Sequence, residues 1–207
     1  MAEMEYIGDV FYDYGGGLYV NMTNKCPCRC AFCIRDMVDS LGDADSLWLK
    51  REPTIDELMQ LLKEQDFEKY REIVFCGYGE PTERLDCLFK VCDYVKNDPK
   101  LGGRLKTRLN TNGLSDFINK RPTAKEFEGK LDAISISLNA PTAEKYLELC
   151  RPKFGIRSFD EILRFTQEVK AYVPDVTMSV VSGSISSQDI EDCRKIAEDL
   201  GVKFRVR

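Results

Sequence analysis

The sequence predicts an α/β fold: a partial (βα)6 TIM-type barrel with parallel strands and outer helices. Two observations lead to this prediction. First, short β-type runs alternate with helical patterns, and the runs cover residues 18–23, 72–77, 105–112, 133–139, 176–181 and 203–207. Second, several runs alternate polar with apolar residues, whereas the strands of a parallel sheet covered by helices on both faces are apolar throughout.

The alternation places polar side chains on one face of the predicted sheet. These positions are Lys106, Arg108, Asn110 and Asn112; Ser135, Ser137 and Asn139; Thr177 and Ser179; and Lys203, Arg205 and Arg207. Because the outer helices bury the apolar face, the polar face is predicted to line a cavity that holds a ligand. An open doubly wound sheet with weakly amphipathic strands is the alternative that periodicity leaves open.

Helical patterns follow the predicted strands in turn. They cover residues 54–63, 83–96, 143–150, 159–172 and 187–200, and several begin near a Ser, Thr or Asp that can cap the first turn. Residues 34–53 show no clear pattern. No internal repeat or linker divides the chain, so residues 1–207 are predicted to form a single domain.

Charge and hydropathy narrow the classes of partner. The chain has 207 residues, with 30 basic and 35 acidic side chains, and its net charge of -5 argues against a general binder of nucleic acid or acidic membranes. Its first residues lack the features of a signal peptide, and no segment approaches the ~18 apolar residues of a membrane span. A cytoplasmic protein without a membrane partner is expected.

A cluster of cysteines is the strongest chemical signal. The chain has nine cysteines and no histidine, and residues 26–33 read CPCRCAFC. In a reducing compartment, clustered thiols indicate metal ligands or reactive groups. A zinc site would draw a second pair of ligands from another segment, and the other cysteines form no tight pair. Cys26, Cys30 and Cys33 have the spacing CxxxCxxC.

This spacing, with Phe32 before the last cysteine, resembles the motif of the radical SAM superfamily. The resemblance implies that Cys26, Cys30 and Cys33 ligate three irons of a [4Fe–4S] cluster. The fourth iron would bind S-adenosylmethionine (SAM) through its amino and carboxylate groups. Cys28 lies outside the pattern, as a neighbour in the loop, an alternative ligand or a thiol that protects the site.

The segment CGYGEPT, after the second predicted strand, resembles the GGEP segment of the same family. The resemblance implies that Gly77 and Gly79 let the backbone approach the cofactor. It also implies that Glu80 accepts a hydrogen bond from the methionyl ammonium. Tyr78 stands where the family has its second glycine, which is a departure from the pattern.

Three further strand ends extend the predicted cofactor site. LNTNG resembles the segment that approaches the methionyl or ribose part of SAM, which implicates Asn110 and Asn112. Ser137 and Asn139 correspond to the polar residues that contact the ribose. On the last strand, the basic face that includes Arg205 fits an anionic substrate or the cofactor carboxylate, with solvated surface charge as the alternative.

The chain resembles in particular the TatD-associated radical SAM proteins, a group similar to the glycyl-radical activating enzymes. The shared segments are TNKCPCRCAFCIR, SLWLKREPT, CGYGEPT, RLNTNGL, SISLNAP and LCRPKFG. The resemblance implies an enzyme whose cluster is reduced by an external one-electron donor of flavodoxin or ferredoxin type. SAM would then be cleaved to methionine and a 5′-deoxyadenosyl radical that abstracts hydrogen from an unidentified substrate.

The sequence leaves the substrate and two other functions open. The expected substrate is a peptide or protein, or a small anionic metabolite held by Arg108 and Arg205. An iron–sulfur electron-transfer protein would need a fourth cluster ligand and would leave GYGEP and LNTNG without a role. A zinc-stabilised binding module lacks its second pair of ligands.

Overall fold

A seven-stranded sheet forms the centre of the structure, a computed structural model that describes residues 6–207. Its strands are β1 Phe11–Tyr14, β2 Gly17–Val20, β3 Glu72–Phe75, β4 Lys106–Thr111, β5 Ala133–Ser137, β6 Asp175–Val180 and β7 Lys203–Val206. β1 pairs antiparallel with β2, and every following pair of neighbours is parallel. Strands β2 to β7 are the six predicted parallel strands.

The predicted number of strands, six, is corrected to seven, because β1 was not predicted. Gly15 and Gly16 join β1 to β2 in a two-residue turn, and both have positive φ, at 59° and 80°. Glycine adopts this backbone conformation without steric cost, which explains the tight hairpin. The short β1 adds an antiparallel strand beside β2 and leaves the parallel core unchanged.

The helices that follow the strands agree with the predicted ones to within about three residues. They are α1 Ile55–Lys63, α2 Leu85–Asn97, α4 Ala143–Cys150, α5 Arg157–Val169 and α6 Ser187–Asp199, with a short, unpredicted α3 at Ser115–Asn119. Thr54 caps α1 through a reciprocal pair of hydrogen bonds with Glu57. None of the described helices is long and apolar enough to cross a membrane.

The order of the strands decides between the two predicted architectures. A doubly wound sheet reverses its strand order at a switch point in the middle of the sheet. Here the order runs from β1 to β7 without reversal, so each parallel strand lies beside the next one in the chain. This is the connectivity of a barrel segment, and it confirms the predicted fold class.

The two faces of the sheet have opposite character, as predicted. Ile134, Ile136 and Met178 are at most 1% exposed and belong to the same core as Ile162 and Phe165 of α5. The opposite face carries polar rows set by the parallel register. One row is Asn110, Ser135, Thr177 and Lys203, and the next is Ser137, Ser179 and Arg205. The polar inner face is therefore confirmed.

Candidate functional site

The cysteine loop, residues 26–33, follows β2 at the carboxyl end of the parallel strands. Backbone hydrogen bonds of 2.9 Å join Arg29 N to the Cys150 carbonyl and Ala31 N to the Leu149 carbonyl. The last carbonyls of a helix have no partner within the helix. The loop supplies partners to the end of α4, and this holds the cysteines in place.

Within this loop, Cys28 is the buried cysteine. It is 4% exposed, and its Sγ lies 3.8 Å from Tyr146 Oη. Hydrogen bonds to Cys26 and Cys30 raise the pKa of Cys28. The hydrogen bond from Cys28 lowers the pKa of Cys26. The pKa of Cys30 is also lowered, mainly by a hydrogen bond from Cys150 and to a smaller extent by one from Cys28. The protonated form of Cys28 is thus favoured beside the two predicted ligands.

The donor set fits an iron–sulfur cluster in its chemistry and position. Cys26, Cys30 and Cys33 are half-buried on one loop, and thiolates are the usual ligands of such clusters. Phe32 packs against the core beside Cys33. Among residues 6–207, no three cysteine or acidic side chains lie close enough together to hold a single metal ion. The fit therefore rests on ligand type and spacing, at the strand ends where barrels place active sites.

The glycines of GYGEP allow close approach to the segment that leads into the cysteine loop. A Cβ on Gly79 would lie 2.6 Å from the Lys25 carbonyl oxygen and closer still to that of Thr23. A Cβ on Gly77 would overlap the side chain of Asn21. In addition, Glu80 N donates to the Lys25 carbonyl at 2.8 Å. The structure thus shows these glycines packed against the protein's own chain.

Glu80 is a buried carboxylate that links the ends of β3 and β4. Its Oε1 accepts hydrogen bonds from Thr111 Oγ1 at 2.6 Å, Thr82 Oγ1 at 2.8 Å and Thr82 N at 3.2 Å. Its Oε2 accepts one, from Asn112 N at 2.8 Å. Burial raises the pKa of Glu80, and these hydrogen bonds oppose the shift. Oε2 keeps one acceptor position for a cofactor ammonium.

The side chain of Tyr78 packs into a small second core. It is 4% exposed and packs with Tyr12 and Leu47, and its hydroxyl donates to the Val38 carbonyl. Its ring also meets that of Trp48 edge to face, with centroids 5.1 Å apart. Position 78 can therefore reach a cofactor through its backbone, while its side chain anchors the loop that follows the cysteines.

The end of β4 brings Asn112 to the cysteine loop. Its Nδ2 lies 3.9 Å from both Cys26 Sγ and Cys28 Sγ. Asn110 lies one row further from the strand ends, where its Oδ1 accepts from Arg108 Nη1 at 2.9 Å. The two asparagines that LNTNG implicates are thus separated: one faces the thiols and the other faces the inner cavity.

The end of β5 presents the other predicted polar contacts. Asn139 has a left-handed backbone, with φ of 61°, and its Nδ2 lies 3.6 Å from Cys150 Sγ. Its Oδ1 is buried without a hydrogen-bond partner among the described residues. Ser137 Oγ accepts from Arg207 Nη2 at 3.0 Å. Arg205, two strands away on β7, is exposed.

Two inner-face groups were not predicted as site residues. Cys76 directly follows β3, and Asn110 is its hydrogen-bond partner. The sequence could have predicted its position on the inner face, because Cys76 lies two and four residues after Val74 and Glu72 and therefore shares their face of the strand. Glu72 forms a bidentate ion pair with Arg108, at 2.7 Å and 2.9 Å. No sequence signal pairs these two residues, because the pairing depends on the register of β3 with β4.

Comparisons with known proteins agree with this geometry. The family model described as "Radical SAM superfamily" matches residues 20–200. A tungsten-containing aldehyde ferredoxin oxidoreductase cofactor-modifying protein of Pyrococcus furiosus is 24% identical over 190 residues, which are 89% of this chain and 49% of the relative. The chain thus spans about half the length of that curated relative.

Two solved structures share the fold. A radical SAM methyltransferase from Sphaerobacter thermophilus has a TM-score of 0.63 and 18% identity, with 95% of this chain and 57% of that chain covered. Streptococcus suis SuiB, bound to its precursor peptide SuiA, has a TM-score of 0.65 and 16% identity, with 92% and 38% covered.

The family match and the strand-end geometry lead to one assignment. The match extends from β2 to beyond α6, so it includes the cysteine loop, GYGEP, LNTNG and the end of β5. The TatD-associated group remains a prediction. The chain belongs to the radical SAM superfamily, whose members use a [4Fe–4S] cluster and SAM.

Proposed function

We propose that this protein is a radical SAM enzyme whose cluster ligands are Cys26, Cys30 and Cys33. The observation that carries the proposal is the contact of Asn112 with Cys26 and Cys28. It joins the cysteine motif to LNTNG across 86 residues of sequence, at the carboxyl ends of β2 and β4, the two strands that flank β3. When bound and reduced, the cluster supplies the electron that cleaves SAM to methionine and a 5′-deoxyadenosyl radical.

The methionyl end of SAM is proposed to lie beside the ends of β3 and β4. Glu80 has one free acceptor position, on Oε2, for the ammonium group. The backbone of Gly77, Tyr78 and Gly79 lies against the segment that leads into the cysteine loop. Asn112 connects Glu80 to the thiols, because its backbone N–H binds the carboxylate while its side chain faces Cys26.

The nucleoside end is proposed to lie over the inner face from β4 to β5. Asn139 has a buried acceptor oxygen without a partner, which suits a ribose hydroxyl. Ser137 and Asn110 lie on the same face. Phe32, which precedes the last cysteine, packs against the core. Arg205 is on β7, and its two predicted ligands are the cofactor carboxylate and an anionic substrate.

The proposal includes the partners and location of the enzyme. Radical SAM enzymes generally need an external electron donor, and a flavodoxin or ferredoxin is proposed for this role. The peptide bound to SuiB supports a peptide or protein as one class of substrate. A cytoplasmic location is proposed, because reduced thiols are stable there.

Anaerobic reconstitution of cysteine variants tests the proposal. Iron and sulfide should reach the content of one [4Fe–4S] cluster per chain in the wild type. Cys26→Ala, Cys30→Ala and Cys33→Ala should abolish this content, and the matched variant Cys28→Ala should keep most of it. Loss of the cluster in Cys28→Ala to the same extent would overturn the ligand assignment.

The cofactor chemistry has its own readout. SAM should change the EPR spectrum of the reduced cluster, and dithionite-reduced protein should release 5′-deoxyadenosine and methionine. A cluster whose EPR spectrum does not change when SAM is added would indicate an iron–sulfur electron-transfer protein. Stoichiometric zinc in place of iron would indicate a zinc-stabilised module.

A further inference from the structure

The inner face of the sheet carries more positive charge than its acidic groups neutralise. Arg108 is neutralised by Glu72 through the bidentate pair, and Lys203 pairs with Asp175 at 2.8 Å near the amino ends of the strands. Arg205, at the other end of β7, has no hydrogen-bond or ion-pair partner among residues 6–207. The inner face therefore has an excess of cationic groups near its carboxyl end.

Arg207 adds a second cation at the same place. The residue keeps exposed surface at the edge of the sheet, yet its guanidinium reaches inward to Ser137 Oγ at 3.0 Å. Loss of solvation lowers the pKa of Arg207, and the charges of Arg205 and Arg108 lower it further. An arginine side chain has five N–H donors, and among the described residues Ser137 is the side-chain partner of Arg207.

Buried hydroxyl groups without partners lie beside these arginines. Ser179 is fully buried, and Ser135 is 4% exposed, and neither Oγ has a hydrogen-bond partner among the described residues. The parallel register places Ser179 between Ser137 on β5 and Arg205 on β7. Buried polar groups are normally paired, so unpaired hydroxyls beside two guanidiniums indicate a ligand that accepts hydrogen bonds.

We propose that Arg205, Arg207 and Ser179 bind an oxyanion group of the substrate, a carboxylate or a phosphate, and that Ser137 positions Arg207. The proposal rests on the function proposed above and adds the chemical class of the substrate. Two guanidiniums and the Ser179 hydroxyl can surround such a group with donors, and guanidinium suits its planar or tetrahedral oxygens. Arg108 is not part of the site, because Glu72 already occupies its donors.

The site lies at a distance from the cluster that suits a substrate. Neighbouring strands are about 4.8 Å apart. Asn112, which faces Cys26, follows β4, so Arg205 on β7 lies three strands away along the sheet, and the curvature of a barrel segment makes the direct separation shorter than the roughly 14 Å of three flat spacings. A substrate anchored by its anionic end at β7 would extend its reactive carbon towards the cofactor over β4 and β5.

Calorimetric titration of the reconstituted protein with inorganic pyrophosphate and, separately, with succinate tests this site. The wild type should bind at least one of these anions. Arg207→Gln and Arg205→Gln should weaken that binding by about tenfold or more, the scale of a charge-assisted hydrogen bond. The better of the two anions distinguishes a phosphate from a carboxylate substrate.

Lys203→Gln is the matched control, because Lys203 is a cation on the same strand and the same face. It should change anion binding by less than about twofold. An equal loss in Lys203→Gln would show general charge attraction and overturn the proposal. It would also be overturned if the wild type bound neither anion better than Arg207→Gln does.

SAM binding separates the substrate site from the cofactor site. SAM affinity should stay within about threefold of the wild type in both arginine variants. A tenfold loss of SAM affinity, with 5′-methylthioadenosine binding unchanged, would assign the arginines to the cofactor carboxylate and overturn the proposal. The anion titration is repeated with Cys30→Ala, and SAM cleavage is measured in the wild type. If Cys30→Ala still binds the anion but the wild type does not cleave SAM, the function proposed above has failed and the anion site has not.

Discussion

The two ends of the inner cavity differ in how their polar groups are satisfied. At the ends of β2, β3 and β4, the Glu80 carboxylate accepts four hydrogen bonds and the glycines of GYGEP are packed against the chain before the cysteines. At β6 and β7, Ser179 has a buried hydroxyl without a partner and Arg205 has no acidic partner among the described residues.

This difference indicates what each end is built to do. A site for a cluster and its cofactor must hold its ligands in one geometry before they bind, and a dense network of hydrogen bonds achieves this. A site whose own polar groups are unpaired is completed by its ligand, which then replaces water rather than protein contacts. The protein's own contacts therefore stabilise the methionyl end of the proposed cofactor site, and the end at β6 and β7 is left to be stabilised by a ligand.

The largest effect on folding is expected from Glu80→Ala. It would leave the buried donors of Thr82, Thr111 and Asn112 without their acceptor. The apo protein should lose roughly 3 kcal/mol of unfolding free energy, measured by urea denaturation. Glu80→Gln keeps one acceptor and should lose less. If Glu80→Ala lost less than about 1 kcal/mol of unfolding free energy, the inferred difference between the two ends would be wrong.

A smaller loss is expected from Gly79→Ala, since its Cβ would press on the Thr23 and Lys25 carbonyls. The cost should be about 1–3 kcal/mol, with less iron retained after reconstitution. Gly103→Ala is the matched control, because a Cβ there has no neighbour within 4 Å. Equal thermal stability of the two variants would contradict the tight packing inferred for GYGEP.

Two hydroxyl deletions compare the ends directly. Thr111→Val removes a donor to Glu80 and an acceptor for Gly113 N, so it should cost about 1–2 kcal/mol. Ser179→Ala removes a hydroxyl that has no partner, so stability should be unchanged or rise by up to about 1 kcal/mol. Chemical denaturation of both variants measures the difference. Equal losses would mean that Ser179 is already satisfied in the free protein.

The smallest effect belongs to a surface contact outside both ends, the cap of α1. Hydrogen bonds from Arg51 and then Thr54 lower the pKa of Glu57 to about 2, below its ordinary value of 4.5. A lowered folded-state pKa stabilises the protein above pH 4.5, and this contribution is lost as the pH falls towards 2. Glu57→Gln should cost about 0.5–1 kcal/mol at pH 7 and less at pH 3. A cost that does not depend on pH would exclude the ionised carboxylate as its source.

Much of the molecule was readable from local patterns. The alternation within 133–139 predicted which face of β5 is polar, and helical periodicity predicted α4 at its observed bounds. The hairpin strand β1 was missed because the alternation of strands with helices, which predicted the others, does not predict an antiparallel strand that precedes the first strand–helix unit. The single-domain prediction remains a prediction, as do the roles of individual site residues.

The sequence by itself determined the parallel α/β class, the polar inner face and the loop that carries the cysteines. These features follow from the spacing of residues along one segment, because side-chain direction repeats every two residues in a strand. The tertiary structure alone decided that Glu72 neutralises Arg108, that Arg207 reaches Ser137 and that the Tyr78 side chain packs with Tyr12 and Leu47. Such contacts join distant segments, and their partners are chosen by strand register and packing, which local periodicity does not encode.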